Sequence, residues 1–231
     1  MVQVNPTKTF IRFKFKKIGK LQYVSHLDLV RTMHKIVVRS GLPLWYTEGF
    51  NPKPKMIFAA PLSIGAESTC EFLDLRLNET VDPELAKEAL NRNMTEELQV
   101  EEAYYPESKF TDLKWLSYEI CVKTEGATES LAKECERALS EPKLEVLKNT
   151  KSGEAVVDIR PLVRSADISY RDGLIYISCV LSADPSSFLN PEYLLRYLKS
   201  RLGILSSENL LAEYSTVMRT EAYFEDMTPF R

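Results

Sequence analysis

The chain has 231 residues, of which 44% are hydrophobic, and its formal net charge is −3. That length suits two domains of about 110 residues each, and the composition excludes a disordered or low-complexity protein. No apolar run reaches the roughly 20 residues needed to cross a bilayer, and the N-terminal segment lacks the apolar core of a signal peptide. The sequence therefore predicts a cytoplasmic protein with no membrane partner.

The four cysteines are spread along the chain, and none forms a C-x-x-C pair or the spacing of a zinc or iron–sulfur site. We therefore expect reduced thiols that act as small hydrophobic residues, with no metal site and no cofactor. They are Cys70, Cys121, Cys135 and Cys179.

Charge is unevenly distributed. Residues 1–60 contain eleven Lys or Arg and only two acidic residues, Asp28 and Glu48, which gives +9 there and −12 on the remainder. A basic segment in an acidic chain can hold an anion while the rest repels a polyanion. The pattern favours one oriented basic patch over indiscriminate nucleic-acid binding.

The hydrophobic pattern of the first half predicts the order strand, helix, strand, strand, helix, strand. Alternation over Thr9–Ile18 indicates a half-buried strand whose outward face carries Arg12, Lys14 and Lys16. The segments after the first helix are Leu44–Thr47 with Lys55–Pro61, then Glu71–Leu77, Pro83–Asn93 and Leu98–Tyr105.

The first helix is predicted to begin after Ser25, which forms a capping pattern with Asp28, and to end at Gly41. At 100° per residue, its apolar side collects Leu29, Val30, Met33, Ile36 and Val37. Its polar side collects Asp28, Arg31, Thr32, Lys35 and Arg39.

A polar joint at Pro106–Lys114 separates a second half in which the same order recurs. Its second strand is assigned to Glu145–Asn149 together with Val156–Leu162. Its other elements are Trp115–Lys123, Glu129–Ser140, Leu174–Ser182, Pro191–Leu202 and Tyr214–Tyr223. The β-α-β-β-α-β order is that of ferredoxin-like domains, so we expect an α+β protein of two tandem ferredoxin-like domains with antiparallel sheets, residues 1–108 and 109–231.

The first helix carries the main candidate residues. His26 is either a histidine packed at the helix start, or a general base or anion ligand at the positive end of the helix. Asp28 is either a capping residue paired with Arg31 or part of the same binding site as His26. Arg31, Lys35 and Arg39 form a cationic stripe with one acid nearby. Either a solvated helix face or phosphate binding explains such a stripe.

The loop Gly49–Lys55 pairs an aromatic residue with two lysines and two prolines. Phe50 and Tyr46 could stack a base while Lys53 and Lys55 meet phosphates, as in single-strand binders. The structural alternative is a β-turn in which Phe50 plugs the core. We favour that alternative for Phe50 and a binding role for Lys53.

A second, weaker candidate lies in the C-terminal half. Lys148, Lys151 and Arg160 could bind an anion near Asp158, although ordinary loop charges and an Asp158–Arg160 pair on one strand face explain the same residues. No nucleophile, phosphate-cradling or radical SAM cluster motif is present, so the sequence predicts no catalytic residue.

Several motifs resemble the radical SAM-linked domain of unknown function, a family fused to or encoded beside a radical SAM protein. They are Ser25-His26-Leu27-Asp28-Leu29 with Arg31, Leu42-Pro43, Gly49-Phe50-Asn51-Pro52, Pro54, Phe58-Ala59, Pro61-Leu62, Gly65, Glu71, Thr150–Gly153, Val157–Pro161 and Asn190-Pro191. The resemblance implies a radical SAM enzyme as partner, and a gene setting shared with ribonuclease G and ribosomal proteins that points towards RNA. It implies no catalytic activity.

One position departs from this family. Members commonly carry histidine between the two loop prolines, where this chain has Lys53. A metal site or proton relay that needs the imidazole would be broken, whereas a patch that needs positive charge would survive.

Three functions remain open on these grounds. The first is a non-catalytic accessory protein that binds RNA or another anion through His26, Asp28, Arg31, Lys35, Phe50, Lys53 and Lys55, and works with a radical SAM enzyme in RNA- or ribosome-related modification. The second is a metal-independent endoribonuclease, similar in inferred fold to CRISPR repeat-processing proteins, with His26 as the catalytic base. The third is a scaffold for the radical SAM partner.

Overall fold

The structure is a computed structural model that describes residues 9–150, 153–209 and 211–231. It is a mixed α and β protein that divides into two compact units. The N-terminal unit ends at Asp112 and includes Arg231, and the C-terminal unit spans Leu113–Phe230. The division predicted from the polar joint at Pro106–Lys114 lay at 108/109. Within the described residues, no helix has both the length and the apolar content needed to span a membrane.

The N-terminal unit contains four strands and two helices in the order β-α-β-β-α-β. The strands pair antiparallel in the spatial order β4-β1-β3-β2. The elements are β1 (Phe10–Lys17), α1 (His26–Arg39), β2 (Met56–Phe58), β3 (Ala66–Arg76), α2 (Pro83–Asn91) and β4 (Leu98–Tyr104).

The core of this unit forms where α1 packs on the sheet. Alternate residues of a strand point to the same face, so β1 presents three apolar side chains to the helix. These are Ile11, Phe13 and Phe15, all 0% exposed, and they share one buried cluster with Leu29, Met33, Ile36 and Val37 of α1. Burying a side chain of this size contributes roughly 1.5–3 kcal/mol, so this packing fixes which side of α1 faces away from the sheet.

The other face of β1 is not the exposed cationic row that the alternation predicted. Arg12 is fully buried, and its guanidinium donates to both carboxylate oxygens of Asp74 at 2.7 and 2.8 Å. Lys14 lies 3.8 Å from Glu102, and Lys16 is half-buried. Because these residues lie on the sheet face opposite α1, they do not join the cations of the helix. Alternation separates two strand faces but does not say whether the polar one is covered.

The C-terminal unit repeats the β-α-β-β-α-β order, with an extra hairpin after its first helix. Its strands pair antiparallel in the order β10-β5-β9-β8, while β6 and β7 pair only with each other among the described residues. The elements are β5 (Trp115–Lys123), α3 (Glu129–Leu139), β6 (Glu145–Thr150), β7 (Gly153–Asp158), β8 (Val163–Arg171), β9 (Leu174–Ser182), α4 (Glu192–Leu202) and β10 (Tyr214–Tyr223).

The assignment of the second strand of this unit was wrong. Residues 145–149 and 156–158 form the separate hairpin, residues 160–162 form a short 3-10 turn, and β8 takes the sheet position beside β9. The sequence pattern hid β8 because only Val163 of its nine residues is buried. A half-exposed edge strand needs few apolar residues and gives a weak period-two signal.

We expect the Asp74→Ala variant to be severely destabilised. The substitution leaves the Arg12 guanidinium buried without its carboxylate, and breaking a buried ion pair in this way costs about 3–5 kcal/mol. Urea denaturation measures the change in the free energy of unfolding. Glu84→Ala is the matched control, since it removes a 3.1 Å surface pair with Lys87 and should cost less than about 1 kcal/mol. Equal losses in the two variants would contradict the structural role of Arg12.

Candidate anion-binding cavity

A cavity of about 640 Å³ lies in the N-terminal unit between α1 and the segment that leads into β2. Its α1 side is lined by Leu27, Val30, Arg31, His34 and Lys35. Its other side is lined by Lys53, Pro54, Met56 and Phe58. The cavity therefore joins the helix and the proline-containing loop that the sequence singled out, and we call it the α1–loop cavity.

The α1 side follows directly from how the helix starts and packs. The Ser25 hydroxyl accepts a hydrogen bond from the Asp28 backbone N–H, which satisfies one of the free donors at the helix start. Packing of α1 on the sheet turns the opposite stripe outward, and residues at spacings of three and four share that stripe. Arg31 and Lys35 are exposed there, and His34 is half-buried.

Asp28 is engaged within the helix start itself. Its carboxylate accepts hydrogen bonds from the Ser25 hydroxyl at 2.7 Å and from the Arg31 guanidinium at 2.9 Å. The bond from Ser25, followed by that from Arg31, lowers the pKa of Asp28 below its usual value of 3.8. Capping and charge pairing thus account for Asp28, which does not line the cavity.

The loop side is held by backbone hydrogen bonds. The Thr47 N–H donates to the Lys53 carbonyl at 2.8 Å, the Lys53 N–H donates to the Thr47 hydroxyl at 3.1 Å, and the Lys55 N–H donates to the Trp45 carbonyl at 3.0 Å. Gly49 turns the chain at the tip with φ of +124°, a conformation that favours glycine. These bonds fix the backbone of Lys53 beside the cavity while its side chain stays exposed.

Phe50 does not plug the core. It lies at the tip of the loop with its side chain fully exposed, at 112%, and it is outside the cavity lining. Tyr46, on the near arm of the loop, is 43% exposed. The aromatic–proline pattern could not distinguish a buried turn residue from an exposed tip, because both satisfy the same turn chemistry.

The cations of the cavity differ in how they are neutralised. Arg31 is paired with Asp28. Neither Lys35 nor Lys53 has a carboxylate within 4.0 Å among the residues that the structure describes. Two lysines, one from each side, therefore line the same cavity, and neither is ion-paired with a described carboxylate.

The other sequence candidates lie around the cavity rather than in its lining. The His26 ring packs perpendicular to the ring of Phe58, with centroids 5.6 Å apart and an interplanar angle of 87°. Lys55 is half-buried and outside the lining. The structure thus brings Arg31, Lys35 and Lys53 together.

Sequence reasoning missed most of the cavity wall. Val30 was assigned to the apolar core side of α1, but it is half-buried and lines the cavity, as does His34. A helical projection centred on Arg31 would have found the stripe, which comprises Leu27, Val30, Arg31, His34 and Lys35. Met56 and Phe58 of β2 gave no comparable signal, since three residues are too few to show a period.

A model of a bacterial protein family matches residues 11–191, which include every element that builds the cavity. The chain belongs to this family. It is described as "Uncharacterized protein conserved in bacteria (DUF2344)". No curated protein matches this DUF2344 sequence.

Solved structures show likeness at low sequence identity. A chain in the "Crystal Structure of a Cbf5-Nop10-Gar1 Complex" is 9% identical with a TM-score of 0.54, and the match covers 94% of this chain and 50% of that one. This DUF2344 protein thus spans about half the length of that relative, and the likeness concerns the fold alone. An unknown protein from Galdieria sulphuraria is 10% identical with a TM-score of 0.26, covering 91% of this chain and 98% of that one; a score that low supports no conclusion.

The described residues of the second candidate, Lys148, Asp158 and Arg160, each have contacts of their own. The Lys148 ammonium lies 5.2 Å from the Tyr193 ring centroid, and the Arg160 guanidinium contacts the Val163 carbonyl at 3.4 Å. Asp158 accepts from the backbone N–H groups of Arg160 and Leu144, which lower its pKa, and so it organises the chain after the hairpin. Lys151 lies outside the described residues.

In the part of the chain that the structure describes, no three His, Cys, Asp or Glu residues lie together in a group that could hold a metal ion. Two cysteines are poor thiolates, since burial raises the pKa of Cys135 to about 11 and that of Cys179 to about 12.

We expect the stabilising effect of the Asp28 carboxylate to depend on pH. Its pKa is lower in the folded protein than the unfolded value of 3.8, so its contribution is complete above that value and is lost as pH falls through the folded value. Urea denaturation at pH 7 should show Asp28→Asn less stable than the parent protein, and the difference should shrink below about pH 4. A difference that stays constant down to pH 2 would contradict the assigned contacts.

Proposed function

We propose that this DUF2344 protein is a non-catalytic accessory protein that binds RNA, or a ligand of the same anionic chemistry, at the α1–loop cavity and works with a radical SAM enzyme. The observation that carries this proposal is the convergence of Lys35 and Lys53 on one cavity without a carboxylate partner among the described residues. Two such ammonium groups that share a concave site favour an anion that reaches both.

The charge distribution supports an oriented contact. Residues 1–60 carry +9 and the remainder −12, so a polyanion is repelled except where the basic segment faces it. Arg12 and Lys14 of this segment are paired with Asp74 and Glu102, whereas Lys35, Arg39 and Lys53 are exposed on α1 and the loop. Phosphate contacts of this kind position a nucleic acid without reading its sequence.

We infer that each unit has a ferredoxin-like fold. Support comes from the element order and from the strand order, in which the fourth strand lies beside the first, the first beside the third and the third beside the second, all antiparallel. Helices on one face leave the opposite sheet face for other contacts.

The radical SAM partner is proposed from the motif resemblance and from the chain's own chemistry. The sequence has no C-x-x-x-C-x-x-C cluster motif, so a radical reaction would require a separate enzyme, to which this protein would present the RNA. Co-purification with the radical SAM enzyme that the resemblance implies as partner should survive nuclease treatment. Complete loss of the complex after nuclease would show that RNA alone joins them, and the absence of any complex would remove the partner.

RNA binding should depend steeply on salt through Lys35 and Lys53. For single strands the logarithm of the binding constant falls by about 0.7 for each logarithm of salt and each neutralised phosphate. We expect the double variant Lys35→Ala/Lys53→Ala to bind a single-stranded RNA more weakly and to lower this slope by about 1.4. Fluorescence anisotropy across a salt series measures both quantities.

The matched control is Lys20→Ala/Lys109→Ala. It removes the same charge from two exposed lysines of the N-terminal unit that lie outside the cavity lining. Equal effects in the two double variants would show that net charge, not the cavity, governs binding, and RNA binding that ignores salt would contradict the proposal. Cleavage of the RNA in EDTA, abolished by His26→Ala, would instead establish the endoribonuclease alternative.

A further inference from the structure

The wall of the α1–loop cavity is more apolar than a phosphate site requires. Five of its nine lining residues are apolar, namely Leu27, Val30, Pro54, Met56 and Phe58. A phosphate gains nothing from such contacts, whereas an apolar body gains in proportion to the area it buries. The volume of about 640 Å³ also lies within the range of roughly 300–1,000 Å³ that is typical of pockets for organic ligands.

Exposure differs between the two lysines and the apolar residues on the loop side of the cavity. Lys35 and Lys53 are exposed, whereas Pro54 is buried and Met56 and Phe58 are half-buried. The two lysines are therefore open to solvent, while Pro54, Met56 and Phe58 offer a more buried apolar surface, and Leu27 is 58% exposed. A ligand that satisfies both parts has an apolar body that enters and an anionic group that stays outside.

Phe58 is held in place before any ligand arrives. Its ring packs perpendicular to Phe15 at a centroid distance of 6.4 Å and to His26 at 5.6 Å, and its backbone pairs with Leu73 in β3. Edge-to-face contacts of this kind fix ring orientation. His26 is thus a positioning residue that acts through Phe58.

Building on the proposed function, we propose that the α1–loop cavity receives one unpaired nucleotide of the RNA, base first. The base packs against Val30, Met56 and Phe58, and its phosphate lies between Lys35 and Lys53. A base in a duplex is stacked and paired, so it does not reach this wall, and the protein selects single-stranded or bulged RNA. Sequence-tolerant packing of bases on aromatic and apolar side chains is common among single-strand binders.

The test uses a base that reports its own environment. The probes are 2-aminopurine riboside 5′-monophosphate, a single-stranded RNA with one internal 2-aminopurine, and the same RNA annealed to its complement. The competitor is ribose 5-phosphate, which keeps the phosphate and lacks the base. We expect the nucleotide to bind about tenfold more tightly than ribose 5-phosphate, which is within the range that one packed base contributes. We also expect the fluorescence of the single strand to change on binding, and that of the duplex to stay constant.

Val30→Trp should fill the cavity from α1 and weaken binding of the 2-aminopurine nucleotide about tenfold. Val38→Trp is the matched control, because Val38 is 47% exposed on the same helix and lies outside the cavity lining.

A second pair of variants tests His26. His26→Phe keeps a ring against Phe58 and should retain the preference for nucleotide over ribose 5-phosphate, whereas His26→Ala should reduce it. A global folding defect would change both affinities together and leave their ratio unaltered.

The outcomes separate this inference from the proposed function. The inference is overturned if the nucleotide and ribose 5-phosphate bind with equal affinity and Val30→Trp has no effect. If RNA binding still depends on Lys35 and Lys53 in that case, the proposed function stands. RNA binding that is independent of both lysines would overturn both. Tight binding of the free nucleotide without binding of the RNA would also overturn the inference, because the cavity would then be a mononucleotide site.

Discussion

The packing of α1 on the sheet of the N-terminal unit is the constraint on which the candidate site depends. Leu29, Met33 and Val37 are buried against Phe13 and Phe15, which leaves the helix a single rotational setting. The α1 residues that line the cavity then face away from the sheet. They include the apolar Leu27 and Val30 and the cationic Arg31 and Lys35. The packing of the apolar side of α1 on the sheet therefore determines which α1 residues face the cavity.

The loop supplies the second wall by a different principle. Its backbone hydrogen bonds between Thr47 and Lys53 hold one lysine where the helix already presents another. Prolines on both sides of Lys53 lower the entropy lost when the segment is ordered. A lysine fixed at its backbone and free at its end suits a phosphate, which needs a charge within reach and no directional geometry.

Local patterns in the sequence predicted the order of elements, the capped start of α1 and the cationic residues that reach the cavity. They failed where tertiary context decides the outcome. Arg12 looked exposed because alternation does not reveal its buried partner 62 positions away at Asp74. Strand β8 was overlooked because only one of its nine residues is buried. The cavity-lining role of Met56 and Phe58 in β2 was not predicted, because a strand of three residues shows no period.

Asp74 links the core to the cavity through strand register. In β3 it lies opposite Arg12 of β1 on one side and opposite Ile57 of β2 on the other, so the register of β3 relates the core strand β1 to the cavity strand β2. A one-residue slip of a strand moves every side chain to the other face. An insertion within β3 would therefore turn the following β3 side chains to the other face of the sheet. The cavity wall on β2 pairs with that strand, so it would lose its register with the core without any change in a ligand-facing residue. The same insertion at the exposed loop tip would leave both walls where they are, so tolerance to changes in chain length should differ sharply between these two neighbouring segments.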